Sequence, residues 1–187
     1  AYGIAPRVLN VDIANNNKLQ GLPGVNIDMQ DIRDNYIMGE AYDEGLRDAI
    51  QDGRPKDRRV AIEKAQRRMI AQQKQEAQAA LLGIDLQDRH SGNYAVHEMM
   101  GRPIQLDIGF ADNVEGFQRD AALAQRAVRG MAEAGLTEEA EILNGLFQEA
   151  AERNDAGAFH DLAQQGVSRL MKLKGGAKDY YRVNENA

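Results

Sequence analysis

The stretch that most restricts how this chain can fold is Gly83–Asp112, GIDLQDRHSGNYAVHEMMGRPIQLDIGFAD. It opens on a glycine suited to ending a helix. It then alternates through Tyr94–Glu98 and Ile104–Ile108, two runs that predict a β-hairpin turning across Met99–Pro103. Around that hairpin stand Asp88, Asn93 and Asp107, with Asn93 five residues after Asp88 and Asp107 fourteen residues further on. The hairpin folds Asp107 back beside the loop that carries the other two. An amide and a carboxylate then converge on one point, a pairing that suits a hard divalent cation such as Mg²⁺. The Asp88 carboxylate, on the other side, is left to orient a hydroxyl or accept its proton. Gly109 lets the chain turn sharply away.

What precedes and follows the stretch predicts an α+β chain that is mainly helical. Arg7–Ile13 is β-branched-rich and is followed by Asn15–Asn17, a strand and then a turn. A second turn, Gly21–Gly24, leads into the alternating Val25, Ile27 and Met29, and Tyr36–Met38 is a third short strand. These three read as one small antiparallel sheet. A brief helix follows around Gly45–Gln51, stopped by Asp52-Gly53-Arg54-Pro55. Asp57 is placed to cap a long helix to about Leu82, whose glutamine-rich middle, Gln72–Gln78, predicts a thin apolar stripe and a single packed face. After the hairpin come helices at Val114–Ala134, Thr137–Arg153 and Ala156–Lys174. Gly135 separates the first two, Thr137 offers a capping-type start with the solvated acids Glu138–Glu141 behind it, and Gly175-Gly176 ends the third.

Composition supports this and excludes some functions. Apolar residues make up 43% of the 187, but much of that is alanine and aromatics are only 5%, which favours helices packed through small contacts. The net charge of −6, with both signs interspersed, gives no basic field for nucleic acid. There is no cysteine, so disulfides and thiolate zinc sites are excluded. No apolar run approaches the ~20 residues of a membrane span, and no signal peptide is visible, so the expected location is a cytoplasm, the cell's own or a host's. The chain begins at Ala1 rather than Met, as expected of a piece of a longer polypeptide.

Asp88-Arg89-His90-Ser91-Gly92-Asn93, followed by the strand-borne Asp107-Ile108-Gly109, resembles the catalytic loop and metal motif of the protein-kinase-like superfamily. The Asp-Arg-His form is most similar to the phosphatidylinositol-kinase and atypical-kinase branch. The resemblance implies that Asp88 is the catalytic aspartate, that His90 assists the chemistry, and that Asn93 and Asp107 bind Mg²⁺ and with it ATP. It extends backwards to Tyr36–Gly45, which looks like a kinase hinge whose backbone at Glu40–Tyr42 would meet adenine. It also reaches Gly3–Leu9, similar to an earlier small-lobe strand. It implies a small-lobe remnant over residues 1–40, a helical lobe over 41–175 and a polar tail over 176–187.

The sequence departs from the family pattern in two ways. Residues 1–35 hold no G-x-G-x-x-G and a single lysine, Lys18, in a predicted turn. Gly109 lies about five residues from the next predicted helix, which leaves no room for a long activation segment. The first departure supports an alternative: a pseudokinase-like binding or structural module, packed into a large assembly or delivered into another cell. A metal-dependent hydrolase is weaker, since it would want further histidine or carboxylate ligands beside His90. Lipid, small-molecule and protein acceptors all stay open. His97 reads as structural or exposed and His160 as an isolated surface residue.

Overall fold

The computed structural model describes residues 8–15, 23–29, 35–86, 90–106 and 112–174. In chain order these form β1 (Val8–Asn15), β2 (Pro23–Met29), β3 (Tyr36–Met38), α1 (Gly39–Gln51), α2 (Pro55–Leu81) and β4 (Ile84–Asp85). A single 3-10 turn, Ser91–Asn93, then leads into β5 (Tyr94–His97), β6 (Pro103–Gln105) and β7 (Asp112–Asn113). The chain ends in α3 (Gly116–Glu133), α4 (Thr137–Glu152) and α5 (Ala156–Lys172). The α+β, mainly helical class predicted above is what forms.

Helix α2 connects the two halves. Pro55 sits at its first position, where a missing N–H costs nothing, so the start falls two residues before Asp57. Asp57 is not the cap: it lies in the first turn and pairs with the exposed Arg54, Nε to Oδ2, at 2.8 Å. At the other end Gly83, with φ +77°, turns the chain out of the helix as predicted. The glutamine-rich middle behaves opposite to expectation. Gln73, Gln75, Glu76, Ala77, Ala79 and Ala80 are all buried, so this end of α2 is enclosed rather than packed on a thin stripe. Two of its polar side chains have partners: Gln75 Nε2 donates to the Pro103 carbonyl at 2.9 Å, and Glu76 Oε2 is paired in charge with Arg126 Nη1 at 2.8 Å.

Helix α3 is the centre of the base and packs on α2, α4 and α5. Leu123, Ala124, Met131, Phe147, Ala163 and Leu170 form its core. Small residues set the spacing: a Cβ on Gly166 of α5 would stand 2.9 Å from the Ala127 Cβ of α3. Gly135 (φ +82°) makes the turn between α3 and α4. Thr137 is the first residue of α4 and Leu136 occupies the cap position, so the predicted Thr137 cap does not form. Asp155 caps α5 instead, accepting from the Ala158 N–H at 2.9 Å, and α5 ends at Lys172, ahead of the glycine pair.

The early strands pair differently from prediction. β1 and β2 form an antiparallel hairpin, but β3 is not part of it. β3 pairs with β5 (Ile37↔Val96) and β5 with β6 (Ala95↔Ile104), giving the order β3-β5-β6. Alternation marks a strand without naming its partner, and the buried Tyr94-Ala95-Val96 run supplies the apolar centre that β3 needs. Among the described residues no helix is long and apolar enough to cross a membrane.

Candidate functional site

Two antiparallel pairings flank the Asp-Arg-His segment along the chain. Leaving α2, the chain turns at Gly83 and enters β4, which pairs with β7 in the register Ile84↔Asn113 and Asp85↔Asp112. The Val114 N–H extends this pairing by donating to the Gly83 carbonyl at 2.9 Å. Leu86 then buries its side chain. Downstream, the 3-10 turn leads into β5, whose register with β6 is Tyr94↔Gln105. One further bond, from the Leu106 N–H to the Asn93 carbonyl at 2.8 Å, closes the open end of the hairpin beside Asn93. Residues 86 and 106, which flank the two acid-bearing segments, each follow a paired strand, β4 and β6. Asp88 and Asp107 themselves lie outside the described residues, as does Ile108, the last residue of the predicted strand Ile104–Ile108.

His90, Asn93 and Glu40 are brought together around Gly92. The exposed His90 uses Nδ1 to accept from the Gly92 N–H at 3.1 Å, and its carbonyl accepts from the Asn93 N–H at 3.0 Å. The ring is thereby oriented by its own turn. A Cβ on Gly92 would lie 2.9 Å from His90 Cε1 and 3.2 Å from Glu40 Oε1, so glycine leaves the space that the imidazole edge and the carboxylate share. Asn93 is half-buried at the mouth of the hairpin. Tyr42 stands apart from this group, its hydroxyl 3.6 Å from where a Cβ on Gly101 would be, at the hairpin's turn. It also lines a groove of about 380 Å³ with Ile37, Ala41, Leu46 and Glu98, which none of Glu40, His90 and Asn93 reaches.

The hinge-like segment takes another form than the resemblance implies. Helix α1 begins at Gly39, directly after β3, rather than at Gly45. Glu40–Tyr42 are therefore helical, their carbonyls committed within the helix and only first-turn N–H groups left to donate outward. Gly45 does not break the helix, because mid-helix glycine costs only about 1 kcal/mol. Gly39 is the glycine that matters: a Cβ there would overlap the Tyr94 ring and the Ser91 carbonyl.

An amide oxygen from Asn93 with a carboxylate from Asp107 would be a hard-oxygen donor pair, of a chemistry that fits Mg²⁺ and not a soft metal. Among the described residues no three His, Asp or Glu side chains gather to hold a metal. Two further groupings escaped sequence reasoning. Asp43 of α1, Arg68 of α2 and Tyr94 of β5 form a part-buried network. His160, read as isolated, is half-buried with Nδ1 2.9 Å from Oδ2 of the buried Asp120. Partners 25, 51 and 40 residues apart leave no local pattern to read. His97 is structural, as predicted: it packs edge-on against Tyr36 at 5.0 Å, and its Nδ1 accepts from the Met100 N–H at 3.4 Å.

No protein-family model, no curated protein and no solved structure matches this chain.

Proposed function

We propose that this chain carries the phosphoryl-transfer site of a kinase-like protein, acting on ATP and a hydroxyl acceptor in a cytoplasm. The observation that supports the reading best is the pair of strand pairings, Asp85↔Asp112 and Tyr94↔Gln105, bracketing the two acid-bearing segments. With the Leu106–Asn93 hydrogen bond, they keep the start of the Asp107 segment beside Asn93. In this reading Asp88 orients the acceptor hydroxyl and takes its proton as the oxygen attacks the γ-phosphorus. The bond from that phosphorus to the β–γ bridging oxygen breaks, and ADP departs. Asn93 and Asp107 would hold Mg²⁺, which when bound offsets charge on the phosphate oxygens. His90, oriented by Gly92, stands close enough in sequence to Asp88 to assist.

The test is phosphoryl transfer from ATP, offered lipid, small-molecule and protein hydroxyl acceptors in parallel, by wild type and Asp88→Asn. Transfer by wild type that the variant loses while still binding nucleotide is the expected result. A chain with no nucleotide-dependent thermal shift and no transfer to any acceptor overturns the reading. A second reading, a pseudokinase-like binding module packed in a larger assembly, is favoured by one observation: the helical Glu40–Tyr42 lacks the extended edge of a hinge. It predicts nucleotide binding, or none, without turnover.

A further inference from the structure

Asp43, Arg68 and Tyr94 meet where α1, α2 and β5 adjoin. Arg68 Nη2 lies 2.7 Å from both carboxylate oxygens of Asp43, and the Tyr94 hydroxyl donates to Asp43 Oδ2 at 2.6 Å. The Arg68 guanidinium carbon stands 5.3 Å above the Tyr94 ring, and Nη1 continues to Gln72 Oε1 at 2.6 Å. The side chains of Arg68 and Asp43 are 14% and 24% exposed, so solvent screens the pair only in part. Burial first, and then the bond to Asp43, push the Tyr94 phenol well above its ordinary value, so it stays a donor across the usable pH range.

A three-way tie of this kind costs side-chain entropy at each member, and where it lies shows what it fixes. Tyr94 is the residue directly after Asn93. Its ring closes on Gly39 so tightly that no Cβ fits, and the Ser91 carbonyl bounds the same space. The phenol end is pinned to α1 through Asp43, and Asp43 to α2 through Arg68. The 3-10 turn that presents Asn93 is therefore gripped at both ends of one aromatic side chain. We infer that Asp43, Arg68 and Tyr94 are positioning residues that fix the Asn93 amide for the metal of the phosphoryl-transfer site, an assignment that rests on that reading.

Tyr94→Phe separates positioning from packing, because it keeps the ring on Gly39 and the Asp43–Arg68 pair and removes one hydrogen bond. Asp43→Asn is the second variant, and Arg68→Lys keeps the charge but loses the planar guanidinium that reaches Asp43 and Gln72 together over the Tyr94 ring. The measurement is the Mg²⁺ concentration that half-saturates ATP binding to the full chain, beside ATP affinity without metal. By analogy with outer-shell partners of metal ligands, each variant should raise the half-saturating Mg²⁺ about tenfold and leave metal-free ATP affinity within about twofold. Asn93→Ala should remove the Mg²⁺ dependence altogether. An unchanged Mg²⁺ requirement in all three variants, with Asn93→Ala still abolishing it, overturns the positioning role and leaves the site intact. A wild-type chain without Mg²⁺-dependent ATP binding overturns the phosphoryl-transfer reading and this assignment with it.

Discussion

Glu76 and Arg126 face each other across α2 and α3 with side chains 5% and 4% exposed, the most deeply buried charge pair described in the chain. Gln72 adds a bond to Glu76 Oε1 at 3.0 Å, while Oε2 is met by charge at 2.8 Å rather than by an aligned N–H. Removing one partner leaves the other buried and uncompensated, so Glu76→Ala should cost about 3–5 kcal/mol in urea unfolding. The double change Glu76→Leu with Arg126→Met should cost far less than the two single changes together, since apolar side chains suit a site that pays to desolvate charge. Equal additivity would contradict this.

Glu133 gives a pH dependence of definite sign. Burial, with Glu76 nearby and only partly countered by Arg68, raises its carboxyl above the ordinary carboxylate value. A raised folded-state value means the neutral acid is favoured in the fold. Its contribution is fully present below the unfolded value of about 4.3 and is lost as pH climbs through the raised one. Glu133→Gln should therefore be more stable than wild type at about pH 7, with the advantage gone near about pH 4. Urea midpoints of both proteins across that range check it, and a constant difference would refute it.

At the scale of elements, helix spacing is the sensitive quantity. Gly166→Ala would put its Cβ 2.9 Å from the Ala127 Cβ, which cannot rotate away, and 3.3 Å from the Leu143 Cδ2. About 1–3 kcal/mol of overpacking is expected, read from the unfolding midpoint. An unchanged midpoint would show that α5 can shift. The helices and the hairpin were legible in the sequence because period and glycine punctuation are local, as Gly83 and Gly135 illustrate. The partner of β3, the burial of Gln73–Glu76 and the start of α1 were not. Each depends on what packs from elsewhere: β5 beside β3, Arg126 over Glu76, and the Tyr94 ring over Gly39.

At the scale of the whole molecule, a helical base built on α3 supports α2, and the end of α2 delivers the chain to the paired strands that bracket the site. Spacing and the kinase-like resemblance made Asn93 a candidate, and the structure puts His90 and Glu40 beside its turn. The network behind it, Asp43–Arg68–Tyr94, was invisible because charged residues on amphipathic helices carry no mark of their partners. The claim tested most directly is that Asp107 and Asn93 share a magnesium ion that carries ATP. Calorimetric titration of ATP into the chain, with Mg²⁺ and then with a chelator, should show a Mg²⁺-dependent component of binding that the chelator removes. Asp107→Ala should lose that binding with its unfolding midpoint unchanged, since a polar ligand contributes little to the core. Binding that is absent in the wild type, or indifferent to Mg²⁺, would contradict the account.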